Sequence, residues 1–485
     1  MKQNTLNKKI LYATKWSTIG EVIAKLIIPI TNMVLARVLA PEAFGVVATI
    51  SMVVSFADMF TDAGFSKYLI QHEFKNEEEL SQFTNVAFWT NIVISVLLWG
   101  VIIIFSEKIA FLVGNKGLGN VIAISCIQLP LTSFSSIQTS LYRRKLNFKP
   151  LFLVRIINVL VPFVITIPLA LNGWSYWALI SGNIICALIS AIILTIKSEW
   201  KPKVYYNLVQ FKNMVNFSIW SFMEQFSIWL TMWIDTFIIG SMLNEYYLGI
   251  YRTSINTVNT LFALIIASTT PVLFSALSRV QNDQKQFENI FYKMQGYVSY
   301  LIFPMGVGMF VFSDLIVKIL LGDNWGEANS IISIWAIVST LTIVVGNYSS
   351  EVYRSKGKPK ISFWLQIIHL AFLIPTCIFS VRLSFLSFVF IRTLVRLQSI
   401  IADIICLNKI FKISIKNMFK NISIQILSSI LMGIEGIILL NMNKSFLWSL
   451  ISILICLITY VMILMVFKKS RKDLESLYMK IVNKN

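Results

Sequence analysis

Fourteen long apolar spans follow one another from about Tyr12 to Phe467, and the basic residues between them fall almost entirely in every second loop. A run of roughly 20 apolar residues is what the hydrocarbon of a bilayer requires for one crossing. Spans are expected near 12–38, 43–64, 84–106, 117–138, 151–171, 175–196, 215–241, 250–278, 296–321, 329–352, 362–381, 386–408, 420–441 and 446–467. The loops between them are too short for an independent domain. Whatever this chain does, it does within the membrane.

The distribution of charge sets the orientation. The 485 residues are 56% hydrophobic and only 13% charged, which is too little charged surface for a soluble chain of this length. Of 42 Lys and Arg, only Arg37, Lys108, Lys116, Arg382 and Lys444 fall in one set of alternate loops. The other set holds Lys8, Lys9, Lys15, Arg143, Arg144, Lys145, Lys201, Lys203, the run from Lys356 to Lys360, the run from Lys409 to Lys420 and the tail from Lys468 to Lys472. The positive-inside rule therefore puts both termini in the cytoplasm of a multi-pass cytoplasmic (inner) membrane protein. The net charge of +19 is used up by this topology, so no nucleic-acid partner is expected. The N-terminus lacks a short apolar core and a cleavage site, and reads as the lead into the first span. Cys126, Cys186, Cys377, Cys406 and Cys456 all lie within spans and suggest neither a disulfide framework nor a metal site. No metal or cofactor is expected.

The chain repeats itself. A shift of 204 residues puts Trp16-Ser17 on Trp220-Ser221, Gly45 on Gly249 and Thr49 on Thr253; a shift of 211 puts Tyr142-Arg143 on Tyr353-Arg354 and Lys145 on Lys356. The repeat unit holds six helices. Six is even, so both copies enter from the same side, which is a parallel repeat about an axis along the membrane normal. The expected fold is an all-α integral membrane protein of 14 transmembrane helices. Two six-helix lobes, 1–207 and 208–413, surround a central cavity, and 414–485 adds two helices and a basic cytoplasmic tail.

Ionisable groups at membrane depth cost about 2.5–3.5 kcal/mol each on insertion scales, so they face protein or a water-filled cavity. Arg392 and Arg396 share one face of the twelfth span, a turn apart. Two readings fit them: a contact for a phosphorylated or acidic ligand, since a guanidinium offers forked donors to phosphate, or a salt bridge between lobes. Arg252 and Arg155 either line the cavity or snorkel to an interface. Glu21 with Lys25, and Asp58 with Asp62, are spaced four apart on their helices; Glu224 and Asp235 share the seventh span. Each of these six is read as ion coupling or as structural pairing. His369 reads as a hydrogen-bonded packing residue. Pro29, Pro130, Pro162, Pro271, Pro304 and Pro375 fall inside spans and are expected to bend them.

An ordered set of short stretches resembles the Wzx-type polysaccharide flippases, in the branch of the colanic-acid and teichuronic-acid exporters, within the multidrug/oligosaccharidyl-lipid/polysaccharide exporter superfamily. They include Ala36-Arg-Val-Leu-Ala-Pro-Glu-Ala-Phe-Gly45 and the stretches at 62–71, 87–91, 141–148 and 173–179. Those at 234–240, 248–252, 271–279, 321–325 and 353–359 follow in the second half. The resemblance implies an alternating-access carrier that moves polyprenyl-(pyro)phosphate-linked oligosaccharide, the repeat unit of an O-antigen, lipopolysaccharide or exopolysaccharide, from the inner to the outer leaflet through a basic cavity. Partners would be that lipid-linked oligosaccharide, membrane lipids and proteins of polysaccharide assembly; nothing demands more than a monomer. Arg252 falls in a matching stretch, whereas Arg392 and Arg396 do not. Two other classes stay open: a multidrug or cation antiporter of the same superfamily, and a membrane polysaccharide polymerase or ligase. The mid-membrane arginines count against the first. The short external loops and the repeat count against an enzyme.

Overall fold

A bilayer interior offers no water to backbone N–H and C=O groups, so a chain with these spans must satisfy them within helices. The computed structural model describes residues 16, 20, 23–62, 64–358, 360–443, 445–473 and 475, and the backbone alone of 62, 216–221, 224 and 271. No strand occurs among the described residues.

The first half runs α1 (23–38), α2 (Pro41–Asp62), α3 (Phe65–Gln71), α4 (Glu77–Ile104), α5 (Ser106–Leu112), α6 (Gly119–Ser125), α7 (Gln128–Arg144), α8 (Lys149–Val161), α9 (Ile167–Leu171) and α10 (Ser175–Lys197). It continues through α11 (Leu208–Met242), α12 (Glu245–Arg279), α13 (Gln284–Val311), α14 (Ser313–Leu320), α15 (Ala328–Leu341), α16 (Tyr348–Ser355), α17 (Lys360–Val381), α18 (Phe385–Phe411), α19 (Ile415–Met442) and α20 (Phe446–Val466). Single π turns, Pro162–Thr166 and Thr342–Asn347, join α8 to α9 and α15 to α16.

Twelve helices among the described residues are long and apolar enough to cross a membrane. They account for twelve of the fourteen expected spans. The other two positions hold α1, described over too short a stretch to cross, and α11, whose 35 residues are diluted by Asn, Gln, Trp and Asp. Of the expected proline bends, Pro162 opens a π turn, while Pro304 and Pro375 sit inside α13 and α17.

Helix ends recur at fixed offsets. Both α4 and α13 are 28 residues long, and α13 starts 207 residues after α4. Asn76 caps the first by accepting from the Glu79 N–H at 2.8 Å, and Asp283 caps the second by accepting from Gln286 at 3.0 Å. Both helices break at a phenylalanine, Phe105 or Phe312, before α5 or α14. At an offset of 211, α7 and α16 end alike. The Asn147 N–H donates to the Tyr142 carbonyl at 2.9 Å and that of Lys358 to Tyr353 at 2.8 Å, a six-to-one closure. The residue turned to positive φ is Leu146 (55°) in one and Gly357 (68°) in the other. The next helices then open at Lys149 and Lys360.

The chain divides into two compact units, Met1–Arg252 and Thr253–Asn485, with the boundary inside α12. In the first unit, α11 packs on α2, α3 and α4, and α10 on α7 and α8. Its core includes Val46, Ile50, Val113, Ile122, Cys126 and Leu129. Trp16 packs on Phe152 with ring centroids 4.7 Å apart and planes tilted by 58°. In the second unit, α19 packs on α13 and α20, and α17 on α18. Tyr300, Phe312, Met432, Cys456 and Tyr460 form a core there. None of the five cysteines forms a disulfide.

A close backbone-to-backbone approach in the first unit lies at the starts of α2 and α12. A Cβ on Gly45 would stand 1.9 Å from the Glu245 carbonyl oxygen, and one on Gly249 would stand 1.8 Å from that of Pro41. Gly45 and Gly249, like Pro41 and Glu245, are related by the 204-residue shift, so the contact is reciprocal. Only hydrogen at Cα allows it. We expect Gly45→Ala or Gly249→Ala to cost about 1–3 kcal/mol of stability, as overpacking does, read as a lower unfolding midpoint of the purified protein in detergent. Gly100→Ala, where a Cβ would meet open space, should not lower it.

Candidate functional site

The arginines of α18 are seated on an indole. Arg392 is 5% exposed and its guanidinium lies 5.6 Å from the centre of the Trp335 ring; that of Arg396 lies 4.2 Å from the same ring. Trp335 comes from α15, and its indole N–H donates to Asn259 Oδ1 of α12 at 3.2 Å, which fixes the plane of the ring. Arg396 also donates to Ser339 Oγ at 2.8 Å, one turn further along α15. Nearby on α18, Gln398 meets His369 Nδ1 at 3.1 Å, so the histidine has the hydrogen-bonded packing role expected of it. Asp403, one more turn along, accepts from the Tyr353 hydroxyl at 2.8 Å. A cation over an aromatic face gains about 0.5–2 kcal/mol, more where water is absent. That gain seats the guanidinium over the ring, and its N–H donors stay in a planar fork.

Arg252, in the first unit, uses the same device. It lies 4.3 Å from the Trp233 ring centre and donates to the Met232 carbonyl at 3.1 Å. Trp233 and Trp229, four apart on α11, line one side of a cleft of about 440 Å³. Asp58 lines the cleft too, accepting from Thr132 Oγ1 at 3.0 Å. Asp235 is not at this surface: it is buried, accepting from the Thr236 N–H at 2.7 Å and from the buried Tyr251 hydroxyl at 2.8 Å. Arg155 is exposed on α8 and Lys25 half-buried on α1. Glu21 lies outside the described residues, as do the side chains of Asp62 and Glu224. At the end of α7, the Lys145 ammonium 2.7 Å from Glu199 holds that carboxyl below the usual carboxylate range.

The residues that sequence reasoning missed are the partners: Trp335, Ser339 and Asn259 in one unit, Trp229, Trp233, Thr132 and Tyr251 in the other. The spacing of Trp229 and Trp233 was the one available signal.

Twelve helices long and apolar enough to cross a membrane, among the described residues, place the chain among polytopic helical membrane proteins. A solved structure of lipid II flippase MurJ, in an inward closed conformation, has the same fold: TM-score 0.77 over 93% of this chain and 98% of that one, at 16% identity. Residues 34–330, more than half the chain, match the family described as polysaccharide biosynthesis protein, and the chain belongs to that family. Relatives include the lipopolysaccharide biosynthesis protein WzxC of Escherichia coli K12, 22% identical over 77% of this chain and 75% of that one. Another is the succinoglycan biosynthesis transport protein ExoT of Rhizobium meliloti, 23% identical over 70% and 68%. The resemblance read from the sequence is borne out.

The Asp235–Tyr251 contact makes the structural-pairing reading of Asp235 testable. Asp235→Asn keeps an acceptor for Tyr251 and should leave the unfolding midpoint close to that of the unaltered protein. Asp235→Ala strands a buried hydroxyl and should cost about 1–3 kcal/mol. Thermal unfolding of both variants in detergent checks this.

Proposed function

We propose that this protein is a flippase for polyprenyl-(pyro)phosphate-linked oligosaccharide, carrying polysaccharide repeat units from the cytoplasmic to the outer leaflet by alternating access. The observation that carries the reading is the seating of Arg392 and Arg396 on one indole at membrane depth. A diphosphate cannot enter hydrocarbon bare; a carrier replaces the water it loses with fixed positive charge. A guanidinium held over an indole still carries a planar fork of N–H donors, which suits phosphate oxygens. Arg252 on Trp233 repeats the arrangement on the first unit. A few such arginines suit a carrier better than a dense cluster, because the load must also be released. The names of the relatives, a lipopolysaccharide biosynthesis protein and a succinoglycan transport protein, agree with this cargo. The protein is a carrier in this reading and catalyses no bond change.

The repeat copies are taken as 1–207 and 208–413, with 414–485 as an added helix pair and tail. Support comes from the shared helix lengths, caps and closures at offsets of 204 to 211 residues. Both termini are taken as cytoplasmic in the cytoplasmic membrane, on the strength of the charge bias. Membrane-impermeant thiol reagent added to intact cells should then label a cysteine placed at Asn244 and spare one placed at Lys203; the reverse pattern inverts the topology.

Deleting the gene in its host should trap intact lipid-linked repeat units in the inner leaflet, measured by extraction and mass analysis. Shortened or altered units would indicate an enzyme instead. Arg396→Ala should lower export about tenfold at normal membrane expression, the scale of a lost charged hydrogen bond. Arg396→Lys keeps the charge without the fork and should retain part of it. Undiminished export with alanine at Arg252, Arg392 and Arg396 together would leave these residues as packing.

A further inference from the structure

We infer that the cleft between Asp58 and the indoles of Trp229 and Trp233 is a sugar subsite that takes a pyranose ring of the transported headgroup; this rests on the flippase reading. At about 440 Å³ the cleft falls within the range of about 300–1,000 Å³ usual for small-molecule sites. Its two sides differ in kind. One presents two indoles a helical turn apart, and both are pinned. Trp229 donates its indole N–H to Ser55 Oγ at 3.0 Å, and Arg252 lies against Trp233. The other side is polar. Asp58 accepts from Thr132, and Ser136 accepts from Asn91 at 3.2 Å. Ser133, 2% exposed, also lines the cleft, and its hydroxyl has no hydrogen-bond partner among the described residues.

A buried hydroxyl without a partner carries a desolvation cost that an occupant with hydroxyls of its own would relieve. A pyranose meets both demands. Its C–H face is apolar and flat enough to lie on an indole, and its rim of hydroxyls donates to carboxylate and serine. An acyl chain would leave the Ser133 hydroxyl unserved, and a small cation would leave most of a cleft of about 440 Å³ unfilled. Trp233 also borders both the cleft and Arg252, so a sugar on one side of this ring sits next to the cation proposed for its phosphate.

The test uses the full chain in lipid nanodiscs. The probe is the oligosaccharide released by mild acid from lipid-linked intermediates of the producing strain, free of lipid and phosphate, and calorimetry reads its binding. Unaltered protein should bind it saturably. Trp229→Ala and Trp233→Ala should each weaken binding about tenfold, and Trp229→Phe, which keeps a flat ring, by less than about threefold. Ser133→Val, on the opposite side, should weaken it too, while Ser133→Thr should not. Should the alanine variants fail to fold, Trp229→Phe and Ser133→Val decide. Absence of saturable binding, or equal binding by folded Trp229→Ala and Ser133→Val, overturns the subsite. The flippase reading is judged separately by where intermediates collect in the deletion strain: it survives an empty cleft and falls if export persists without the gene.

Discussion

Hydrocarbon cannot hydrogen-bond, and the rest of this structure follows from that. Among the described residues, each span closes its own backbone into a helix. Polar side chains within spans turn back on the same helix for want of water: Thr84 to the Leu80 carbonyl, Ser125 to Val121, Ser349 to Val345, Thr393 to Val389. Charged side chains cannot be satisfied that way. They find tyrosine hydroxyls, as Asp235 and Asp403 do, or tryptophan faces, as the three arginines do. The position of each of these five charges is therefore set by an aromatic residue on a neighbouring helix.

The two halves share a scaffold and differ in chemistry. Caps at Asn76 and Asp283, closures after Arg144 and Ser355, and the reciprocal glycine contact of α2 and α12 recur at nearly constant offsets. The functional groups do not recur. The first unit offers carboxylate, hydroxyls and paired indoles around one cleft, with a single arginine at the edge; the second gathers two arginines on one indole.

Much of the fold was legible because it depends on local pattern. Apolar run length marks the spans, alternate basic loops set their direction, and Tyr142-Arg143 against Tyr353-Arg354 gave the offset at which the helix closures recur. The Asn207 cap was less visible, and α11 begins at Leu208, a turn or two before the point where its apolar run starts. The candidate arginines were legible as positions but not as a site. Arg396 touches Trp335 and Ser339 across a long stretch of chain, and nothing local to either marks the pairing. Asp235 and Asp58 looked alike in sequence; burial by Tyr251 and placement on a cleft with Thr132 separate them.

The π turn at Thr342–Asn347 carries a mechanical consequence. Such a turn holds one residue more than a regular helical turn. Regularising it would rewind everything beyond by about 100°, the angular step of one residue. What lies beyond is α16, whose Tyr353 holds Asp403 on the helix of Arg392 and Arg396, and Gly346 within the turn leaves room beside that same carboxylate. The turn is a store of one residue of slack. By giving up a single residue of slack, it would exchange the side chain that faces the arginine-bearing helix without opening a loop or unpacking a helix end.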